Sequence, residues 1–83
     1  MNRQEATKYL RARLDEFGLN DWSYRLSTDI SGMSGLCDPK HKMIILNALD
    51  IDQMPDIEVK DTINHEIAHA LTPFDIAHGD DSD

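Results

Sequence analysis

The sequence predicts an α+β domain, because two segments with helical periodicity flank a central stretch whose apolar residues follow strand patterns. The chain has 83 residues, which is enough for one domain with a modest core. Hydrophobic residues make up 40% of the chain and charged residues 29%, a composition typical of a folded globular domain rather than a disordered segment. We therefore expect residues 1–83 to form a single domain.

The first predicted helix covers residues 3–17. Asn2 and Glu5 have the spacing of a capping box, in which each side chain accepts a hydrogen bond from the backbone of the other residue. Gly18 can adopt the left-handed conformation that ends a helix. Apolar side chains three or four residues apart form the buried stripe of this helix: Ala6, Tyr9, Leu10, Leu14 and Phe17.

The sequence pattern in the middle of the chain predicts about three short strands in a small antiparallel sheet. Residues 22–27 alternate apolar and polar side chains, which is typical of a half-buried strand. Leu36-Cys37 precedes the segment 38–41, where a proline in the second position favours a turn. Residues 42–47 contain Met-Ile-Ile-Leu, the apolar and β-branched content of a buried strand. The segment that follows is rich in aspartate, and we expect it to be a loop.

A second helix is predicted near the end of the chain. It should begin near Pro55 or Asp56, because proline and acidic residues suit the first turn of a helix. It should end near Leu71, because Pro73 disfavours helical geometry in the residue before it. Residues 73–83 are expected to form an irregular acidic tail. The apolar stripe of this helix consists of Val59, Ile63, Ile67 and Ala70.

Charge and cysteine content restrict the cellular compartment and the binding partners that we expect. The formal net charge is −8, from 16 acidic and 8 basic side chains, so direct binding to a phosphate backbone is not expected. Cys37 is the single cysteine, which excludes an intramolecular disulfide and favours a reducing compartment. The sequence contains neither a signal peptide nor an apolar run of about 18 residues. We expect a cytoplasmic protein with no membrane partner.

The chemistry of this chain is concentrated in residues 65–69, which read His-Glu-Ile-Ala-His. Residues four apart lie on the same face of a helix, so His65 and His69 can reach one metal ion. Zinc accepts imidazole nitrogens, and Glu66 beside the first ligand can take a proton from a zinc-bound water. We expect the polar stripe of the helix to face a cleft: Glu58, Thr62, His65, Glu66 and His69.

A third zinc ligand is expected after the helix, because catalytic zinc sites use three protein ligands and one water. His78 is the preferred candidate, since it lies nine residues after His69 and a loop of that length can fold back over the metal. Asp75, six residues after His69, is the competing candidate. Zinc proteases with a ligand at that offset carry glycine three residues after the second histidine, where this chain has Thr72. Two side chains near the predicted turn remain reserve ligands: Cys37 and His41.

The order of helix, short sheet and helix, with His-Glu-Ile-Ala-His-Ala-Leu on the second helix and a later His-Gly pair, resembles the SprT-like zinc metallopeptidases, including small phage-encoded members. The resemblance spans most of the chain and implies a minimal zincin-like fold. It also implies that His65, His69 and His78 bind zinc and that Glu66 is the catalytic base.

A second part of this resemblance lies in residues 35–46, which are similar to the family's hairpin, in which a glycine-containing strand precedes the strand before the active helix. Two features depart from the family pattern. Ala77 stands where the family has the first glycine of a Gly-His-Gly-like turn. Members usually continue into another helix after that turn, and residues 1–83 are expected to lack it.

The function predicted from these residues is a zinc-dependent peptidase, in which a metal-bound water activated by Glu66 hydrolyses peptide bonds of a peptide or protein substrate. One alternative is a non-catalytic binding module that zinc stabilises, because small domains often depend on a metal. Another is a regulatory metalloprotease that cleaves repressors, since such enzymes also carry His-Glu-x-x-His. Glu66 argues against the first alternative, because a structural metal site needs ligands but no base.

Overall fold

The computed structural model describes residues 1–72, in which three helices pack with one three-stranded sheet. The predicted α+β class is confirmed. The predicted acidic tail, residues 73–83, lies outside the described residues. The elements follow in the order α1 (Arg3–Glu16), β1 (Ser23–Ser27), β2 (Gly35–Asp38), β3 (Met43–Asn47), α2 (Ala48–Gln53) and α3 (Asp56–Leu71).

Helix α1 begins with the predicted capping box. The Asn2 side chain accepts a hydrogen bond from the backbone N–H of Glu5 at 2.7 Å, and Glu5 accepts one from the N–H of Asn2 at 3.0 Å. The chain leaves the helix through Gly18, whose φ of +75° is the left-handed conformation that glycine tolerates best. Three residues of the predicted apolar stripe of α1 are fully buried: Ala6, Leu10 and Leu14. Phe17, which follows the last residue of the helix, is exposed.

The sheet is mixed, with the strand order β1-β3-β2. Strands β2 and β3 form the predicted antiparallel hairpin, in which Leu36 lies opposite Ile45. Strand β1 runs parallel to β3, with Tyr24 opposite Ile44, so the prediction of a wholly antiparallel sheet was wrong for this pair. Strand β1 pairs with the edge of β3 that β2 leaves open, so β3 is the central strand and β1 and β2 are the edge strands. The central position of β3 explains its continuous apolar run.

Helix α2 occupies part of the segment that was predicted to be an aspartate-rich loop. The Asn47 side chain caps it by accepting hydrogen bonds from the backbone N–H groups of Leu49 at 3.0 Å and Asp50 at 3.2 Å. Ala48 and Ile51, one turn apart, are buried on its inner side. This short helix connects the end of the central strand to the start of α3.

Helix α3 begins and ends where the sequence predicts, and its apolar stripe lies in a core shared with α1 and β3. Val59 and Ile63 are fully buried there, together with Leu10 of α1. A polar contact also joins the two long helices: Arg13 Nε donates to Asn64 Oδ1 at 2.9 Å, and Asn64 Nδ2 donates to the Tyr9 hydroxyl at 3.3 Å. These contacts fix α3 immediately before its histidines. Within residues 1–72, no helix has the length and apolar character needed to cross a bilayer.

Candidate metal centre and active site

Two histidines of α3 converge at one point of the surface. His65 and His69 are four residues apart, and their rings meet edge to face with centroids 4.5 Å apart. Their Nε2 atoms are 2.9 Å apart. His65 is exposed and His69 is partly buried, so the pair lies where solvent and a substrate can reach it. The predicted placement of both rings on one helical face is therefore what the structure shows.

The separation of these nitrogen atoms suits either a hydrogen bond between the rings or two bonds to one metal ion. Two nitrogens that bind one tetrahedral zinc at its usual bond length lie about 3.3 Å apart. The observed 2.9 Å is within a few tenths of an ångström of that value, and a small ring rotation covers the difference. Neutral imidazoles are also the nitrogen ligands that zinc accepts most often. The two histidines therefore fit a zinc ion.

The side chain of Glu66 extends from α3 towards strand β2. The residue is only 7% exposed, and its side chain packs with that of Thr62 against Gly35. Of the polar stripe that the sequence predicts to face a cleft, these two side chains lie on the side of the helix that β2 approaches, whereas His65 is exposed. Glu66 precedes His69 by three residues, so these two side chains are neighbours on the helix surface, and it follows His65 directly in the sequence.

Cys37, on β2, is near the same carboxylate. Burial raises the pKa of its thiol to about 12, and the negative charges of Glu66 and Asp38 add to the shift. The thiol is therefore protonated at neutral pH. The sequence offers no clear signal for this proximity, because it depends on how β2 packs against α3.

His41 lies in the exposed turn after β2, as expected. Its Nδ1 is 2.7 Å from Asp38 Oδ2, and this hydrogen bond lowers the pKa of the Asp38 carboxyl. Within the part of the chain that the structure describes, no group of three or more His, Cys, Asp or Glu side chains is arranged to hold a metal ion. The reserve ligands Cys37 and His41 therefore do not complete the histidine pair there. His78 and Asp75, the two main candidates for the third ligand, lie outside the described residues.

Comparison with protein families gave a match over most of the chain. The sequence model of the SprT-like family matches residues 3–81, which include every described helix and strand and also the positions of Asp75 and His78. The comparison with curated proteins found no match, and neither did the comparison with solved structures.

Proposed function

We propose that this chain, which belongs to the SprT-like family, is a zinc-dependent peptidase in which His65 and His69 bind the metal and Glu66 is the general base. The observation that carries the proposal is the 2.9 Å separation of the two Nε2 atoms on one face of α3. Family membership supports a peptidase-like role, and the presence of Glu66 in the same motif, three residues before His69, supports hydrolysis.

Zinc at this position would supply Lewis-acid polarisation of the scissile carbonyl and would lower the pKa of the attacking water. Glu66 takes a proton from that water as it attacks, and it later donates the proton to the leaving amine. His65 and His69 supply neutral nitrogen ligands and leave the catalytic proton transfers to Glu66. The side chain of Glu66 is held between α3 and β2, so its carboxylate has a restricted orientation. A restricted orientation lowers the entropy cost of aligning the carboxylate with the attacking water.

The burial of Glu66 also supports catalysis over a purely structural role for the metal. Removing a carboxylate from water costs free energy, and a structural zinc site has no need of a base next to its ligands. The proposed substrate is a peptide or a protein. The net charge of −8 disfavours direct nucleic-acid binding, and the single cysteine is consistent with a cytoplasmic setting.

The zinc content of the purified chain is the first test of this proposal. We expect about one zinc ion per chain and a lower melting temperature after chelation. Zinc at roughly 100 times its Kd stabilises a fold by about 2.7 kcal/mol, or about 10–20 °C in Tm for a domain of this size. Elemental analysis and thermal melts with and without chelator provide the measurement. A chain that binds no zinc and melts at the same temperature in both conditions contradicts the proposal.

The third ligand can be tested with two matched substitutions. We expect His78→Ala to weaken zinc affinity at least about tenfold, since losing metal-site partners has effects of this size. Asp75→Ala should change the affinity little, because a carboxylate so soon after the end of α3 needs a sharp reversal, and the β-branched Thr72 disfavours the positive φ that such a reversal uses. Competition with a fluorescent zinc chelator measures both affinities. The opposite ranking would assign the ligand to Asp75.

A further inference from the structure

Gly35, the first residue of β2, has no conformational reason to be glycine. Within residues 1–72, positive φ angles among the glycines occur at Gly18 and Gly32, whereas Gly35 has the extended backbone of a regular strand. Any residue can adopt that backbone, and alanine in place of glycine at such a position usually stabilises a fold slightly. The reason for glycine at this position must therefore lie in what surrounds it.

The space beside Gly35 is occupied by two side chains of α3. A methyl group on Gly35 would lie 3.1 Å from Cγ of Glu66, 3.1 Å from Cγ2 of Thr62 and 3.3 Å from Oε2 of Glu66. Carbon atoms in favourable contact are about 3.5–4.0 Å apart. A methyl group would therefore push against the glutamate from the side, at both its stem and its carboxylate.

Strand β2 is held firmly where it meets α3. Gly35 pairs with Leu46, a fully buried residue of the central strand, and the next ladder bond runs from Asn47 N–H to the carbonyl of Ser34 at 2.8 Å. The Asn47 side chain also donates to the carbonyl of Met33 at 3.1 Å. The backbone cannot withdraw from α3 without breaking these bonds, so a methyl group would be accommodated by movement of the helix side chains.

Glu66 is the side chain that would move to make room for a methyl group at Gly35. Thr62 is β-branched, so its χ1 in a helix is restricted to two favoured rotamers. Glu66 has three rotatable side-chain bonds and can swing away from β2, which would carry its carboxylate out of its position against the strand. The three atoms nearest to a methyl group at Gly35 all belong to Glu66 and Thr62.

We propose that Gly35 is a positioning residue for Glu66: the absence of a side chain at this point of β2 lets the carboxylate rest against the strand, at the place from which it serves as the base. This inference rests on the proposed function for its effect on turnover. Its geometric part, that Gly35 sets the position of Glu66, can be tested separately.

The test compares Gly35→Ala with Gly18→Ala, the same chemical change at a remote site. Displacing a catalytic group by about 1 Å can cost 100-fold, so we expect Gly35→Ala to lower kcat at least about tenfold. Its KM should stay within about twofold, and its zinc content and Tm should match the wild type. Gly18→Ala should show the opposite pattern, a lower Tm from alanine at a φ of +75° and an unchanged kcat for the zinc-loaded protein. A Gly35→Ala variant with kcat within about twofold of wild type, or with parallel losses of zinc and Tm, overturns the proposal.

A crystal structure of Gly35→Ala gives a readout that does not depend on activity. We expect Cγ of Glu66 to move away from β2 by at least a few tenths of an ångström relative to the wild type, with the Nε2 separation of His65 and His69 unchanged. A Glu66 side chain that keeps its wild-type position overturns the inference. If the zinc-loaded wild type cleaves no peptide, the proposed function fails, and this structural comparison still decides whether Gly35 positions Glu66.

Discussion

Glu66→Gln is expected to lower kcat by roughly 10²–10⁴-fold, the range that general acid–base catalysis contributes, while zinc content and Tm stay at wild-type values. The amide has nearly the shape of the carboxylate, but it cannot accept the proton of the attacking water. The measurement is steady-state cleavage of a peptide substrate under metal-replete conditions, with zinc content determined on the same sample.

The matched control for this variant is Glu58→Gln, which makes the same change about two helical turns earlier, at an exposed position near the start of α3. It should leave kcat unchanged. If Glu66→Gln keeps turnover within about threefold of the wild type, Glu66 is not the general base, and the buried carboxylate must have a structural role instead.

His69→Ala and His65→Ala are expected to abolish stable zinc binding, with zinc affinity falling by at least about 100-fold. Loss of a residue that only hydrogen-bonds to a ligand can already cost about 100-fold, and loss of a ligand should cost more. Each removes one of the two nitrogens that lie 2.9 Å apart. Both variants should lose cleavage and should melt at the temperature of the chelated wild type, because the stabilisation supplied by zinc is then absent. Isothermal titration with zinc and a thermal melt measure the two effects.

The control for the histidine variants is His41→Ala. His41 is exposed in the turn after β2 and is paired with Asp38, so its removal should leave zinc affinity unchanged. Zinc affinity that survives the loss of either helical histidine would show that the metal is held elsewhere. Equal weakening in His41→Ala would show that the turn contributes a ligand.

The features that sequence alone could predict are those that local patterns encode. The bounds of α3 follow from Pro55 at its start and Pro73 after its end, and its apolar stripe follows from helical spacing. The pairing of His65 and His69 follows from the same spacing, because residues four apart always share a helical face. The capping box of α1 is equally local.

The features that sequence could not predict depend on contacts between distant segments. Nothing in the alternation of residues 22–27 shows which edge of β3 the first strand joins, so its parallel direction was missed. The burial of Glu66 depends on the approach of β2 at Gly35, which is a tertiary contact. Helix α2 was missed although a local signal was present: Asn47 is a good N-cap and is followed by buried residues one turn apart.

The most direct test of the central claim is a zinc add-back cleavage assay, in which the purified chain is incubated with a peptide library and the products are identified by mass spectrometry. The account predicts cleavage by the zinc-loaded chain, loss of cleavage after chelation and its return when zinc is restored. A folded, zinc-loaded chain that cleaves no peptide in the library, or that cleaves equally well after the zinc has been removed, would contradict it.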